Sequence, residues 1–417
     1  MRYRFIALAL CLLAGSKVSI SAGFDCSLPG LSLTEKTVCG NTYLSGLDNA
    51  LNRFFQKAYD SSLSHGSLTA RQIQWLKERD SCRDDITCIT NSYLIRNQNL
   101  AESNNFQSAN AIFNRDGDDL DEVLDAPITT KSGFTMTDSP WRVKEMFSSE
   151  SFEGGINLEG KRVSGILTYQ EINNDLYIYI AVSGRYQDKN TTLIVELKDD
   201  TSPRIIQQYD GDIDVISRTR DRQGNALAYF SIGSDSHKDY HYIFISPDNG
   251  KGISDISSEQ ADAMTKKAPP WIGYCGDSAC DALSISPDSK WRLVSHDSND
   301  KNQDEGIYVF PANRPDLGLN VFTDKNDNVN DIDDFTHTRQ YVWDDDSDIF
   351  YFTNDGALCC IWKTDITSKT TKRILPVVGA LDPFYVNYEG ESFILFVYSY
   401  SCRDYFKSEI YIAKESN

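Results

Sequence analysis

Four cysteines, Cys26, Cys39, Cys82 and Cys88, frame a stretch of helical periodicity that occupies residues 23 to 100. A chain this short makes a thin core, so covalent staples are expected within it. Four cysteines allow three connectivities, and the sequence-local pairs are preferred. Zinc is the other use of such a cluster. Neither the Cys26–Cys39 nor the Cys82–Cys88 interval has the C-x-x-C spacing of a zinc site, and no histidine stands close by. No metal is expected.

The residues before this frame point to an oxidising compartment. Arg2 and Arg4 precede an apolar run from Phe5 to Ala14, and the small residues Ser19, Ser21, Ala22 and Gly23 follow. This is the layout of a cleaved signal peptide over residues 1–22. The apolar run is too short to span a bilayer, and no later stretch approaches the required length, so no membrane span is expected. Leu13-Ala14-Gly15 is followed by Ser16, not cysteine, which argues against a lipid anchor. The expected location is periplasmic or secreted. Cys275, Cys280, Cys360 and Cys402 then join the first four as disulfide candidates, and Cys359 is left over as a buried free thiol. Cys275 and Cys280 are expected to close a local loop. Cys359 and Cys360 would point to opposite faces of a strand and adjacent cysteines rarely bond, so Cys360 is expected to reach Cys402.

Charge is unevenly spread. The formal net charge of −20 becomes −23 once Arg2, Arg4 and Lys17 leave with the leader. Residues 23–100 hold eight acids and eight bases, whereas 53 acids against 30 bases lie beyond residue 100. Such a surface repels nucleic acid and anionic lipid and speeds encounter with cationic partners.

Within the cysteine frame, Ser32 and Glu35 read as a capping box opening a short helix that ends at Cys39-Gly40. Leu44, Leu47, Leu51, Phe54, Phe55 and Ala58 form one apolar stripe of a second helix, broken at His65-Gly66. Thr69 and Gln72 read as a second capping box for a helix running to Cys82. Asp84 or Asp85 caps a last helix with the stripe Ile86, Ile89, Tyr93 and Leu100.

Several of these residues form a recognisable pattern: Phe24-Asp25-Cys26, Glu35-Lys36-x-Val38-Cys39, Leu44-x-x-Leu47-Asp48-x-x-Leu51, Tyr59, Gln72-x-x-Trp75-Leu76-x-x-Arg79-Asp80-x-Cys82, Cys88-Ile89, Tyr93 and Arg96. The segment resembles the N-terminal domain of the LprI-type lysozyme inhibitor family. The resemblance implies a cationic lysozyme, or another envelope protein, as partner. Trp75, Arg79 and Arg96 could form a recognition patch, but their helical spacing suits packing better, with Asp48 or Asp80 as an ion-pair partner for Arg79.

Residues 101–150 are polar and mixed and read as a linker, with a turn signal at Asn114 to Asp119. Beyond it, over residues 151–417, short aromatic and β-branched runs alternate with turns rich in Asp, Asn, Gly and Ser. The strand 176–181 recurs as 226–231, 291–295, 349–353 and 393–397, each preceded by a turn and followed by a second apolar strand. Five such units match the size of propeller blades. The segment from Ser284 to Leu293, with Ser286-Pro287-Asp288-Ser289 at its turn, resembles the repeat of TolB-type, WD40-like propellers, with Ser289 where glycine is usual. The expected fold is a small disulfide-bonded α-helical domain followed by an all-β domain, a five- or six-bladed β-propeller, with a β-sandwich as the alternative. Ring closure is expected to pair residues near Gly155 to Thr168 with the last unit.

Catalytic chemistry finds little support. No G-x-S-x-G or H-E-x-x-H occurs, and the five histidines, at 65, 237, 241, 296 and 337, are scattered. The acidic loop from Asp324 to Asp334 has Val329 where an EF-hand requires glycine. The expectation is therefore a non-enzymatic binding protein without cofactor. An envelope scaffold and a hydrolase acting through β-domain carboxylates are the rival readings.

Overall fold

The computed structural model describes residues 23–101, 106–113, 124, 126–152, 155–199, 201–220, 226–234, 237–245, 253–265, 272–273, 285–296, 306–323, 341–354, 358–402 and 405–415. Its compact units are Met1–Ser103 and Asn104–Asn417. The first is helical and the second mostly β.

Helix α1 (Leu33–Gly40) opens with the capping box: Glu35 N donates to Ser32 Oγ at 3.1 Å, and Ser32 N donates to Glu35 Oε2 at 2.7 Å. Helix α2 (Thr42–Ser61) starts where Asn41 Oδ1 accepts from Tyr43 N and Leu44 N. Helix α3 spans His65–Asp80, so it begins before the expected Thr69 box and Thr69 lies inside it. The chain breaks instead at Ser62 to Ser64. There the His65 ring stacks on Tyr59 at 4.1 Å, and its Nε2 sits 2.8 Å from the Tyr59 carbonyl oxygen. Helix α4 (Ile86–Ala101) is capped by Asp85, whose Oδ1 accepts from Thr87 N and Cys88 N.

One face of each helix meets the others in a core of Val38, Leu44, Leu51, Ala58, Leu68, Trp75, Ile89, Tyr93 and Leu100. Disulfides Cys26–Cys39 and Cys82–Cys88 close sequence separations of 13 and 6 residues. The first ties the N-terminal segment to α1. The second staples the turn from α3 to α4.

Among the described residues of the β unit, five sheets follow one another along the chain. The first orders its strands as Glu159–Ile172, Asp175–Tyr186, Lys189–Lys198 and Arg204–Asp210. The second is built on Ile213–Arg220, Ala226–Ser234, His237–Ile245 and Ile253–Ile256, with Ile272–Gly273 beside its first strand. The third comprises Trp291–His296, Gly306–Pro311 and Leu319–Phe322. The fourth runs Tyr341–Trp343, Ile349–Asn354, Cys360–Asp365 and Thr370–Leu375. The fifth holds Ala380–Tyr388, Glu391–Cys402 and Tyr405–Lys414.

Tight turns make these antiparallel meanders. Asn173 and Asn174, at φ of 54° and 62°, take the left-handed geometry that suits a two-residue hairpin. Ser289 takes φ of 60°, the conformation in which glycine is the usual residue. Its turn is held by Ser286, whose Oγ donates to Asp288 Oδ1 at 2.7 Å and accepts from Trp291 N at 3.0 Å.

Residues 101–150 are not a linker. Gln107–Ser108 and Arg142–Ser148 extend the fifth sheet, and Ile128–Thr129 and Thr135–Asp138 extend the fourth. Arg142–Ser148 lies antiparallel to Tyr405–Lys414, with Arg142 opposite Lys414. The strand that completes the last sheet is thus this earlier one; the expected segment near Gly155 to Thr168 falls largely in the strand Glu159–Ile172, which begins the first sheet. Buried ion pairs lock these additions. Lys144 Nζ donates to Asp199 Oδ2 at 2.7 Å, and Arg373 Nε donates to Asp138 Oδ1 at 2.7 Å. Asn387 N also donates to Tyr169 Oη, and Tyr388 Oη to the Asn174 carbonyl, joining the fifth sheet to the first.

Candidate binding cleft in the helical unit

Helix α3 packs on α4 through Trp75, whose ring meets Tyr93 edge-on at 5.3 Å and whose Nε1 donates to the Ser92 carbonyl at 3.3 Å. With the indole anchored inward, the outer surfaces of the two helices leave a cleft of about 420 Å³. Ala70, Arg71, Gln74, Trp75 and Glu78 line it from α3, and Ile95, Arg96 and Asn99 from α4. Ile95 is 62% exposed, an apolar side chain left on a polar helix face.

Arg96 dominates the electrostatics of this cleft. Its Nε and Nη2 donate to Gln72 Oε1 at 3.0 and 2.8 Å, so a neutral amide orients the guanidinium. No carboxylate pairs with Arg96 among the described residues. Burial first, and then the neighbouring Arg71, hold its proton affinity below the usual arginine value. Glu78 on the same wall accepts from Gln74 Nε2 at 2.8 Å. A guanidinium that is partly desolvated, fixed in orientation and set beside a second cation is built to receive an anionic group.

The remaining motif residues look inward. Arg79, 3% exposed, stacks near Trp75, pairs with Asp80 at 2.7 Å and donates from Nη1 to Tyr93 Oη at 3.0 Å. Burial works against its charge, but Tyr93 and Asp80 outweigh that and raise its pKa above the ordinary value. Tyr93 Oη in turn donates to Asp48 Oδ1 at 2.8 Å, and burial pushes the phenol well above its usual range. Leu76 packs against the core, and the Asp80 carbonyl accepts from Thr34 Oγ1 at 3.3 Å. The Gln72 to Asp80 motif therefore divides between two jobs. Trp75, Leu76, Arg79 and Asp80 organise the core, while Gln72 presents Arg96. Sequence spacing could not reveal that Arg96 has no carboxylate partner among the described residues, because pairing depends on how α3 packs on α4.

Of the other cysteines, Cys359 and Cys360 are buried side by side in the chain. The expected Cys360–Cys402 bond falls on a Cys402 side chain that lies outside the described ones. Cys275 and Cys280 lie outside the described residues, as does the acidic loop from Asp324 to Asp334. No cluster of three or more His, Cys, Asp or Glu residues that could hold a metal occurs among the described residues. No helix among them is long and apolar enough to cross a membrane.

No family model matches the chain, and no curated protein matches it. Solved structures do match. A "Glycoside hydrolase" has 8% identity, with 67% of this chain and 94% of that protein covered, and a TM-score of 0.32. The catalytic domain of a Coprinopsis cinerea GH62 alpha-L-arabinofuranosidase has 11% identity, 66% and 97% coverage and a TM-score of 0.29. A mannose phosphorylase from Leishmania mexicana has 11% identity, 72% and 86% coverage and a TM-score of 0.20. With glycoside hydrolases among these matches, the expectation of a non-enzymatic protein does not stand. Similarity at that level assigns no reaction, substrate or catalytic residue to this chain.

Proposed function

We propose that the helical unit is a recognition module that takes an acidic side chain of an envelope protein into the cleft between α3 and α4. The observation that carries this reading is Arg96, partly desolvated, held by Gln72 and lacking a carboxylate partner among the described residues. Ile95 adds exposed apolar surface beside the charge, the combination of an apolar and a charged contact that concentrates binding energy. The LprI resemblance makes a lysozyme-type muramidase the partner to test first, because glycoside hydrolysis of that kind uses two carboxyl groups in an open cleft. The acidic excess beyond residue 100 would speed encounter with such a cationic enzyme. For the β unit we propose a five-bladed propeller. Its five sheets follow in chain order, and Arg142–Ser148 completes the last of them.

The test is binding of the chain from Gly23 onward to hen lysozyme, with protection of bacterial cells from lysis as a second readout. Arg96→Gln is expected to weaken binding at least about tenfold with an unchanged melting temperature. No binding by the parent chain, or equal binding by Arg96→Gln, would overturn the reading.

A second reading places hydrolysis in the β unit and is favoured by Asp344. Burial, helped by Asp346, pushes this carboxyl up to about 6 against the opposing hydrogen bond from Ile349 N, into the range of a general acid. Cleavage of a polysaccharide by the chain, lost in Asp344→Asn, is the result that would carry it.

A further inference from the structure

Asp48, in α2, is 3% exposed. A carboxylate at that depth is costly unless it is hydrogen-bonded and its charge is balanced. Among the described residues two donors reach it: Tyr93 Oη lies 2.8 Å from Oδ1, and the backbone nitrogen of Gly23 lies 2.7 Å from Oδ2. Both are neutral groups while residue 22 is attached. Arg79 is one step removed, donating to Tyr93 and pairing with Asp80. The position of Gly23 is tight as well, since a Cβ built there would overlap the Asn52 side-chain amide and approach Asp48 Oδ2 to 2.9 Å.

We propose that hydrolysis of the Ala22–Gly23 bond creates the counter-ion of Asp48. An envelope leader peptidase adds water across that bond. The Ala22 carbonyl carbon takes the hydroxyl and leaves as a carboxylate on the leader, and the Gly23 nitrogen becomes an ammonium group. That nitrogen already sits at the distance of a charge-assisted N–H···O bond. The bond from Gly23 to Asp48 thus changes from amide–carboxylate to ammonium–carboxylate without movement of either group. Gly23 is itself exposed, so its ammonium keeps much of its hydration while the buried carboxylate gains a charged partner. The helical unit is then completed by processing. A chain that still carries its leader folds this unit less stably, which suits a chain that must stay unfolded during export.

The experiment compares two N-termini of the full chain in two backgrounds. One N-terminus is Gly23; the other carries one extra alanine before Gly23, which turns the nitrogen back into an amide and moves the charge away. Both are made in the parent sequence and again with Asp48→Asn. Thermal unfolding is followed by the helical signal. The extra alanine is expected to lower the helical transition by about 5 °C or more in the parent sequence. It should have little effect once Asp48 is replaced, because the carboxylate that feels the charge is gone. Intact mass of the protein recovered after export should place the N-terminus at Gly23. Equal transitions for the two parent N-termini, an equal shift in the Asp48→Asn pair, or a mature N-terminus elsewhere would overturn the proposal. Should Asp48→Asn fail to fold, the parent pair and the mass still decide it.

Discussion

The two units solve the problem of holding a chain together at opposite ranges of sequence separation. In the helical unit the staples are local: disulfides span 13 and 6 residues, and each helix is capped or turned by residues beside it. In the β unit the defining contacts are remote. Arg142 pairs with Lys414, Asp138 with Arg373, and Asn387 with Tyr169. Local staples restrict the unfolded chain, whereas remote pairings must first overcome the entropy of closing a long loop. The helical unit should therefore fail by degrees and the β unit all at once.

The largest effect expected from this contrast is loss of the closing strand. Deleting Arg142–Ser148 removes the ladder to Tyr405–Lys414 and the Lys144 partner of buried Asp199. The β unit should unfold as a whole, losing protease resistance and near-ultraviolet dichroism, while the α-helical signal remains. Survival of a protease-resistant β core after the deletion would break the comparison, because it would mean that the sheets stand independently.

The next effect concerns the staples. Replacing Cys26 and Cys39 with serine should destabilise the helical unit by about 3 kcal/mol, and replacing Cys82 and Cys88 by about 2 kcal/mol, following the lengths of the loops they close. Denaturant unfolding monitored at the helical band should separate both from the parent chain, with the β transition unmoved. A β transition that shifted equally would mean that the two units unfold together.

The same contrast explains what could be read from the sequence. Local signals were legible: the Ser32 and Glu35 box, the α2 stripe and the turn at Ser286 to Ser289 depend on residues within a few positions of one another. The Thr69 and Gln72 box misled because the same spacing occurs inside a helix, and the start at His65 is decided by its stacking on Tyr59. Residues 142–148 carry alternating character too short to stand out, and their partner lies at the far end of the chain. Nothing near them in sequence marks them as a strand. In the cleft, Trp75 and Arg96 were visible as motif residues. The division of labour between Arg79, which is paired, and Arg96, which has no carboxylate partner among the described residues, appears only when α3 and α4 are packed.

The smallest expected effect separates the units by pH. In the helical unit, hydrogen bonds from the Ser27 side chain and backbone lower the pKa of exposed Asp25. Such a group favours the folded state above its unfolded pKa, and that contribution is lost on acidification. Asp344 runs the other way. Burial pushes its carboxyl up to about 6, with Asp346 adding to the shift against the hydrogen bond from Ile349 N, while an unfolded carboxyl titrates near about 4. Between those values the folded chain holds more protons than the unfolded one, so β-unit stability falls as pH rises from about 4 to about 6 and stays lower above that range. Asp344→Asn keeps an oxygen to accept from Ile349 N, now 3.2 Å from Oδ1, and removes the charge that burial penalises. The variant should be more stable than the parent at pH 7, by on the order of 1–3 kcal/mol, and indistinguishable from it at pH 4. Unfolding curves at the two pH values measure this directly. A parent chain whose β transition is the same at both would show that the Asp344 carboxyl titrates alike in the folded and unfolded chain, and would remove the feature on which the hydrolase reading depends.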